Sequence, residues 1–99
     1  MPGFICEECG TVDNTALGHY WARNFVKFKN SMLNNKALCI ICKPQEYSDG
    51  SIDPNAGKWH DKFDQRHWSE YGTKETLIEN CNTVHGLINA VEYFQKNQS

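Results

Sequence analysis

Two Cys-x-x-Cys pairs, Cys6-Glu7-Glu8-Cys9 and Cys39-Ile40-Ile41-Cys42, stand 29 residues apart in a chain of 99. This pattern constrains the fold more than anything else in the sequence. A two-residue spacer lets the backbone turn so that both sulfurs of a pair face one ion. Two such knuckles complete the tetrahedral shell of soft ligands that zinc accepts, with each sulfur about 2.3 Å from the metal. Gly10, directly after the first pair, suits a tight left-handed backbone, and Pro44 follows the second pair closely. One structural Zn2+ held by Cys6, Cys9, Cys39 and Cys42 is the expected cofactor. A chain of this size has so small a core that a structural metal, with an apparent binding free energy on the order of 10–16 kcal/mol, decides whether it folds.

Other uses of these cysteines fit less well. An iron–sulfur cluster also takes four thiolates. Disulfides suit a secreted chain, but five cysteines leave one over. The opening run Met1-Pro2-Gly3-Phe4-Ile5-Cys6-Glu7 lacks the basic and apolar regions of a secretory signal, which predicts a cytoplasmic protein. No apolar run approaches the roughly 20 residues that cross a bilayer, so no membrane partner is expected. A thioredoxin-like pair would need a βαβ pattern that is absent. A shell closed by four thiolates leaves no position for water or substrate, so the ion is a scaffold. His19, His60, His67 and His85 have no ligand spacing beside a knuckle and read as ordinary histidines.

The expected architecture is a small, metal-stapled α+β domain, with a zinc-ribbon or treble-clef-like four-cysteine lobe and a long carboxy-terminal amphipathic helix. It divides into a knuckle lobe (1–45), an aromatic-rich loop region (46–72) and the helix (73–97). Trp21, Phe25, Phe28 and Met32 recur at helical spacing and predict a helix over about 19–33, although Val26-Lys27-Phe28-Lys29 also alternates like a strand. Asp49-Gly50 and Asp53-Pro54-Asn55-Ala56-Gly57 break regular structure, and a short helix is possible near 60–70. Leu77, Cys81, Val84, Ile88 and Val91 form a stripe at spacings of four, three, four and three, which makes Cys81 a small apolar core residue. Thr76-Leu77-Ile78-Glu79 fits a capping box at the start of that helix. The stripe covers the chain's own core, or pairs with a second copy to give a homodimer.

Net charge is −2, which argues against a general polyanion binder. The distribution is uneven: no acidic residue falls between Asp13 and Glu46, where Arg23, Lys27, Lys29, Lys36 and Lys43 are interleaved with Tyr20, Trp21, Phe25 and Phe28. Such a segment can track phosphates and stack bases, so a nucleic-acid-binding ribbon is one reading. A solvated face is the other. The chain has no phosphate-binding glycine loop, nucleophile elbow or His-Glu-x-x-His motif, and the expectation is a protein that is not an enzyme.

The run from Cys6 to Leu17, the run Leu38-Cys39-Ile40-Ile41-Cys42, and Gly57-Lys58-Trp59-His60-Asp61-Lys62-Phe63 together resemble small zinc-ribbon-like proteins encoded in bacteriophage genomes. In that group, paired Cys-x-x-Cys motifs precede a Gly-Lys-Trp-His segment. The resemblance implies a phage-encoded accessory protein of the host bacterial cytoplasm, a class that often binds a host enzyme or defence factor. Trp59, His60, Phe63, Trp68 and Tyr71 are the expected partner surface, because aromatic residues dominate binding hot spots.

Overall fold

Phe4 and Ile5 are both fully buried, and each enters a different core because successive strand residues point to opposite faces. They belong to β1 (Gly3–Ile5), which pairs antiparallel with β2 (Val12–Asn14) in the register Gly3↔Asn14, Phe4↔Asp13 and Ile5↔Val12. The computed structural model describes residues 3–61, 64–81, 83 and 86–96. Two short helices follow, α1 (Lys74–Glu79) and α2 (Ala90–Lys96), and single 3-10 turns lie at Ser31–Leu33 and Trp68–Glu70. No helix among the described residues is long and apolar enough to cross a membrane.

On one face of the hairpin, Ile5 and Val12 pack with Leu77, Cys81, Leu87, Ala90 and Phe94, and Trp68 and Tyr93 close the edge. On the other face Phe4 meets Tyr20 (ring centroids 5.2 Å apart) and Ala37. A third cluster unites the knuckles: Cys6, Phe28, Leu38 and Cys39, flanked by Val26, Leu33, Cys42, Tyr47 and Trp59. The architecture is thus small α+β with a two-stranded sheet and a four-cysteine lobe.

The expected long helix is instead two short ones. The helical start lies at Thr73, whose side chain accepts from Thr76 N while the Thr76 hydroxyl accepts from Thr73 N, so Thr76 is the third helical residue rather than the cap. The break follows Glu79. Thr83 donates both its N–H (3.0 Å) and its hydroxyl (2.8 Å) to Asn80 O, and Asn80 Nδ2 donates to Thr76 O (2.9 Å). Such side-chain bonds compete with helical continuation. Gly86 then crosses so close to Asn80 that a Cβ would lie 1.9 Å from its carbonyl oxygen. The turn releases Asn89 to grip β1: its amide accepts from Ile5 N (2.7 Å) and donates to Ile5 O (2.8 Å). Ile88 N adds a bond to Gly3 O (3.0 Å). Satisfying the buried edge of β1 outweighs helix propagation, since unpaired buried backbone groups cost about 1–3 kcal/mol each. Of the predicted stripe, Leu77 and Cys81 reach one core together with Leu87 and Phe94, Ile88 packs against the Phe4–Tyr20 cluster instead, Val91 is exposed and Val84 lies outside the described residues.

The predicted helix over 19–33 is also absent. His19 and Leu38 exchange backbone hydrogen bonds (2.8 and 3.0 Å), and Phe28 bridges Tyr47. Between them, asparagine side chains take over the backbone: Asn30 Oδ1 accepts from Met32 N and Asn34 Oδ1 from Phe28 N. The strand-like alternation of Val26 to Lys29 is the reading the structure follows, with Phe28 buried and Lys27 and Lys29 exposed. Asp49-Gly50 forms the tip of a hairpin joined by Tyr47 N to Ser51 O and Asp53 N to Gln45 O. In 60–70 the described regular structure is the 3-10 turn at Trp68, with residues 62–63 outside the described set.

Candidate metal centre

Each knuckle is closed by the same backbone bond. Gly10 N donates to Cys6 O and Lys43 N to Cys39 O, both at 2.9 Å. These turns aim four sulfurs at one point: the Sγ atoms of Cys6, Cys9, Cys39 and Cys42 all lie within 4.8 Å of one another, and Cys9 and Cys39 are 3.7 Å apart. Four sulfurs about 2.3 Å from one ion at tetrahedral corners would be separated by roughly 3.8 Å. The donor set therefore fits, and the four cysteines could hold one zinc ion. Cys6 and Cys39 are buried, Cys42 is half-buried and Cys9 is exposed, and none of the five cysteines forms a disulfide.

The electrostatics point the same way. A hydrogen bond from Cys39 holds the Cys6 thiol down to about 5, while burial and the neighbouring Cys6 charge push Cys42 up to about 12. The hydrogen bond to Cys6 and burial push Cys39 up as well. Without a cation, Cys6 is favoured as the thiolate while Cys39 and Cys42 are driven to keep their protons. A divalent ion at the centre removes that conflict and favours deprotonation of all four.

The surroundings fix the knuckles to each other. Glu7 N donates to Ala37 O (2.8 Å), the Glu7 carboxylate accepts from Ala37 N (2.5 Å), and Lys96 of α2 pairs with the same carboxylate (3.1 Å). Cys9 Sγ is hydrogen-bonded to Thr11 Oγ1 at 3.2 Å. The second knuckle is held by Asp13, a fully buried carboxylate on β2 that accepts from Ile40 N (3.0 Å), Asn14 N (2.7 Å) and His60 Nε2 (2.6 Å). Gly57 N adds a bond to Ile40 O (2.7 Å). No local pattern marks Asp13, because its histidine partner is 47 residues away and alternation along β2 only places it on the face opposite Val12.

Three of the five expected partner residues, Trp59, His60 and Trp68, are half-buried and packed against the chain's own core. Trp59 packs on the knuckle cluster, His60 is engaged with Asp13, and Trp68 meets Phe94 edge-on at 4.9 Å. Tyr71 is 47% exposed, and Phe63 lies outside the described residues. The long loop's aromatics anchor it, because indole area is worth more against the cluster than in water. Large apolar exposure lies elsewhere, at Trp21 (61%), Phe25 (83%) and Met32 (81%). Of the five segment cations, Lys29 pairs with Glu46 (3.3 Å), Lys36 with Glu8 (2.6 Å) and Lys43 with Asp53 (2.8 Å), and Arg23 lies 4.1 Å over the Tyr20 ring. Lys27 donates to the neutral Asn35 Oδ1 at 2.9 Å. His19 is buried with Nε2 lacking a partner among the described residues; His67 caps the 3-10 turn; His85 is outside the described set. Comparison with protein-family models, curated proteins and solved structures finds no match to this chain.

Proposed function

We propose that this chain is a zinc-stapled, non-enzymatic interaction protein, encoded by a bacteriophage, that binds and modulates a protein of the host cytoplasm. The observation that carries the reading is the exposure of Trp21, Phe25 and Met32 on a chain whose four clustered sulfurs are held by closed backbone turns. Large side chains left in water on a clamped frame are what hot spots are made of, because a rigid anchor loses little entropy on binding. The ion, held by Cys6, Cys9, Cys39 and Cys42, supplies structure only. Its four thiolates occupy every tetrahedral position, so this chain's residues orient a surface around it rather than deliver a substrate to it.

A nucleic-acid ribbon is the weaker reading. Three of its five cations are matched by carboxylates, and net charge is already −2 before four thiolates and one Zn2+ add two further negative charges. The test is capture from a bacterial lysate with mass spectrometry, comparing the wild type with the combined change Trp21→Ala, Phe25→Ala and Met32→Ala. The expected result is one protein retained by the wild type and lost by the variant at equal zinc content. Equal retention by both would overturn the placement of the surface.

A further inference from the structure

We infer that the groove between Phe25 and the 45–53 hairpin takes an acidic protein segment carrying one apolar side chain. This rests on the protein-binding reading above and names the chemistry of the partner. The groove, about 390 Å³, is lined by Phe25, Val26 and Lys27 on one wall and by Tyr47, Ser48, Asp49 and Ser51 on the other. That volume is at the small end of ligand sites, matching a side chain of a docked peptide better than a whole cofactor. The walls are held together by Ser48 N donating to Lys27 O (2.9 Å) and by stacking of Phe28 on Tyr47 (5.8 Å). The groove is therefore present before anything binds.

Charge selects the occupant. Lys27, exposed at the groove, bonds the neutral Asn35 Oδ1 and makes no ion pair among the described residues, so no carboxylate neutralises its charge there. Lys29 follows two residues on, on the same side of the extended chain, about 7 Å away at strand rise. Glu46 matches the Lys29 charge at 3.3 Å, so Lys27 is the cation that selects the occupant. No acidic residue lies anywhere from 14 to 45. The one acid in the lining, Asp49, is engaged by its own turn: Oδ1 accepts from Ser51 N (2.9 Å) and Ser51 Oγ (2.6 Å). Its charge repels an incoming carboxylate from the hairpin wall and directs it to Lys27. A partner segment with an aliphatic or aromatic anchor for the groove and carboxylates beside it satisfies both walls.

The test uses the full zinc-loaded chain and a fluorescein-labelled peptide, Glu-Glu-Asp-Glu-Phe-Glu-Asp-Glu, read by polarisation. Three further probes are run: the peptide with Gln and Asn in place of its acids, the peptide with Gly in place of Phe, and single-stranded oligothymidylate. The acidic Phe peptide is expected to bind roughly tenfold or more tightly than each of the others. Phe25→Ala and Lys27→Glu should each reduce that binding by a similar factor. Equal binding of the neutral peptide, tighter binding of oligothymidylate, or no binding of the acidic peptide at millimolar concentration would overturn the inference. Both changes are at exposed side chains, and unchanged zinc content and circular dichroism establish that the variants are folded. A lysate partner whose capture needs Phe25 but ignores Lys27→Glu would leave the protein-binding reading standing while sinking this one.

Discussion

The two knuckles have the same spacing, the same closing hydrogen bond and the same order of burial, yet they are supported in different ways. Cys6 and Cys39, the first of each pair, are fully buried, while Cys9 and Cys42 lie nearer the surface. The first knuckle ends on Gly10 at φ +77°, where a Cβ would sit 2.5 Å from the His67 ring. It is braced by its own hairpin and by residues 66–68, through Val12 N to Arg66 O and Trp68 N to Gly10 O. The second ends on Lys43, needs no left-handed residue, and depends on distant groups: Asp13, Gly57 and the Asp53 carboxylate. Spacing creates the ligand geometry in both; tertiary contacts decide where each knuckle stands.

The strongest challenge to this equivalence is to remove one buried sulfur from each side. Cys6→Ser and Cys39→Ser should both abolish stable folding, since the metal's contribution, on the order of 10 kcal/mol, equals a typical domain's whole stability. Cys9→Ser, at an exposed corner where water can serve as fourth ligand, should retain measurable zinc. Metal content and circular dichroism decide. If Cys6→Ser folds and Cys39→Ser does not, the knuckles are not equivalent.

Asp13→Ala tests the asymmetric support. It strips the acceptor from Ile40 N, Asn14 N and His60 at a fully buried site, and should cost about 3–5 kcal/mol in denaturant melts. The loss should fall on the second knuckle, read as faster exchange of the Ile40 amide with the Gly10 amide little changed. Equal acceleration at both would show that the hairpin and the second knuckle open as one.

Acid probes the same junction through His19, whose backbone holds Leu38 beside Cys39. Burial, reinforced by Lys43 and Arg23, lowers His19 from 6.5 to about 4. Between those values the unfolded chain binds a proton that the folded one excludes. Stability therefore falls as pH drops from about 6.5 to 4, by roughly 3 kcal/mol, and is independent of His19 above that window. Thiolate protonation adds a loss of the same sign, so the comparison is with His19→Phe, which should show the shallower slope. Identical slopes would contradict the assignment.

The smallest expected contrast lies at the knuckle ends. Gly10→Ala should cost about 1–3 kcal/mol through positive φ and the His67 contact, whereas Lys43→Ala should cost under about 1 kcal/mol, losing one partly exposed ion pair. Thermal melts of the two variants at saturating zinc read the difference.

These contrasts explain what was legible in the sequence. Ligation needs only residue type and spacing, so Cys6, Cys9, Cys39 and Cys42 could be read directly, and a helical stripe sufficed to bury Cys81. The split between α1 and α2 was not legible, because it is decided by Asn89 reaching Ile5, 84 positions away. For the same reason nothing local reveals that Trp59 packs on the knuckle cluster or that His60 meets Asp13, 47 positions away. Trp21 and Phe25 carried helical spacing, but the chain spends that segment on turns and asparagine caps, leaving both rings in water.

The central claim is that one ion draws residues 6–9 and 39–42 together and that the fold depends on it. Its most direct measurement is the amide NMR spectrum of the purified chain before and after removal of a single equivalent of zinc by chelator. Dispersed resonances with one zinc per chain, collapsing on removal and restored by adding it back, are the predicted result. A spectrum that remains dispersed and unchanged in metal-free protein would contradict it.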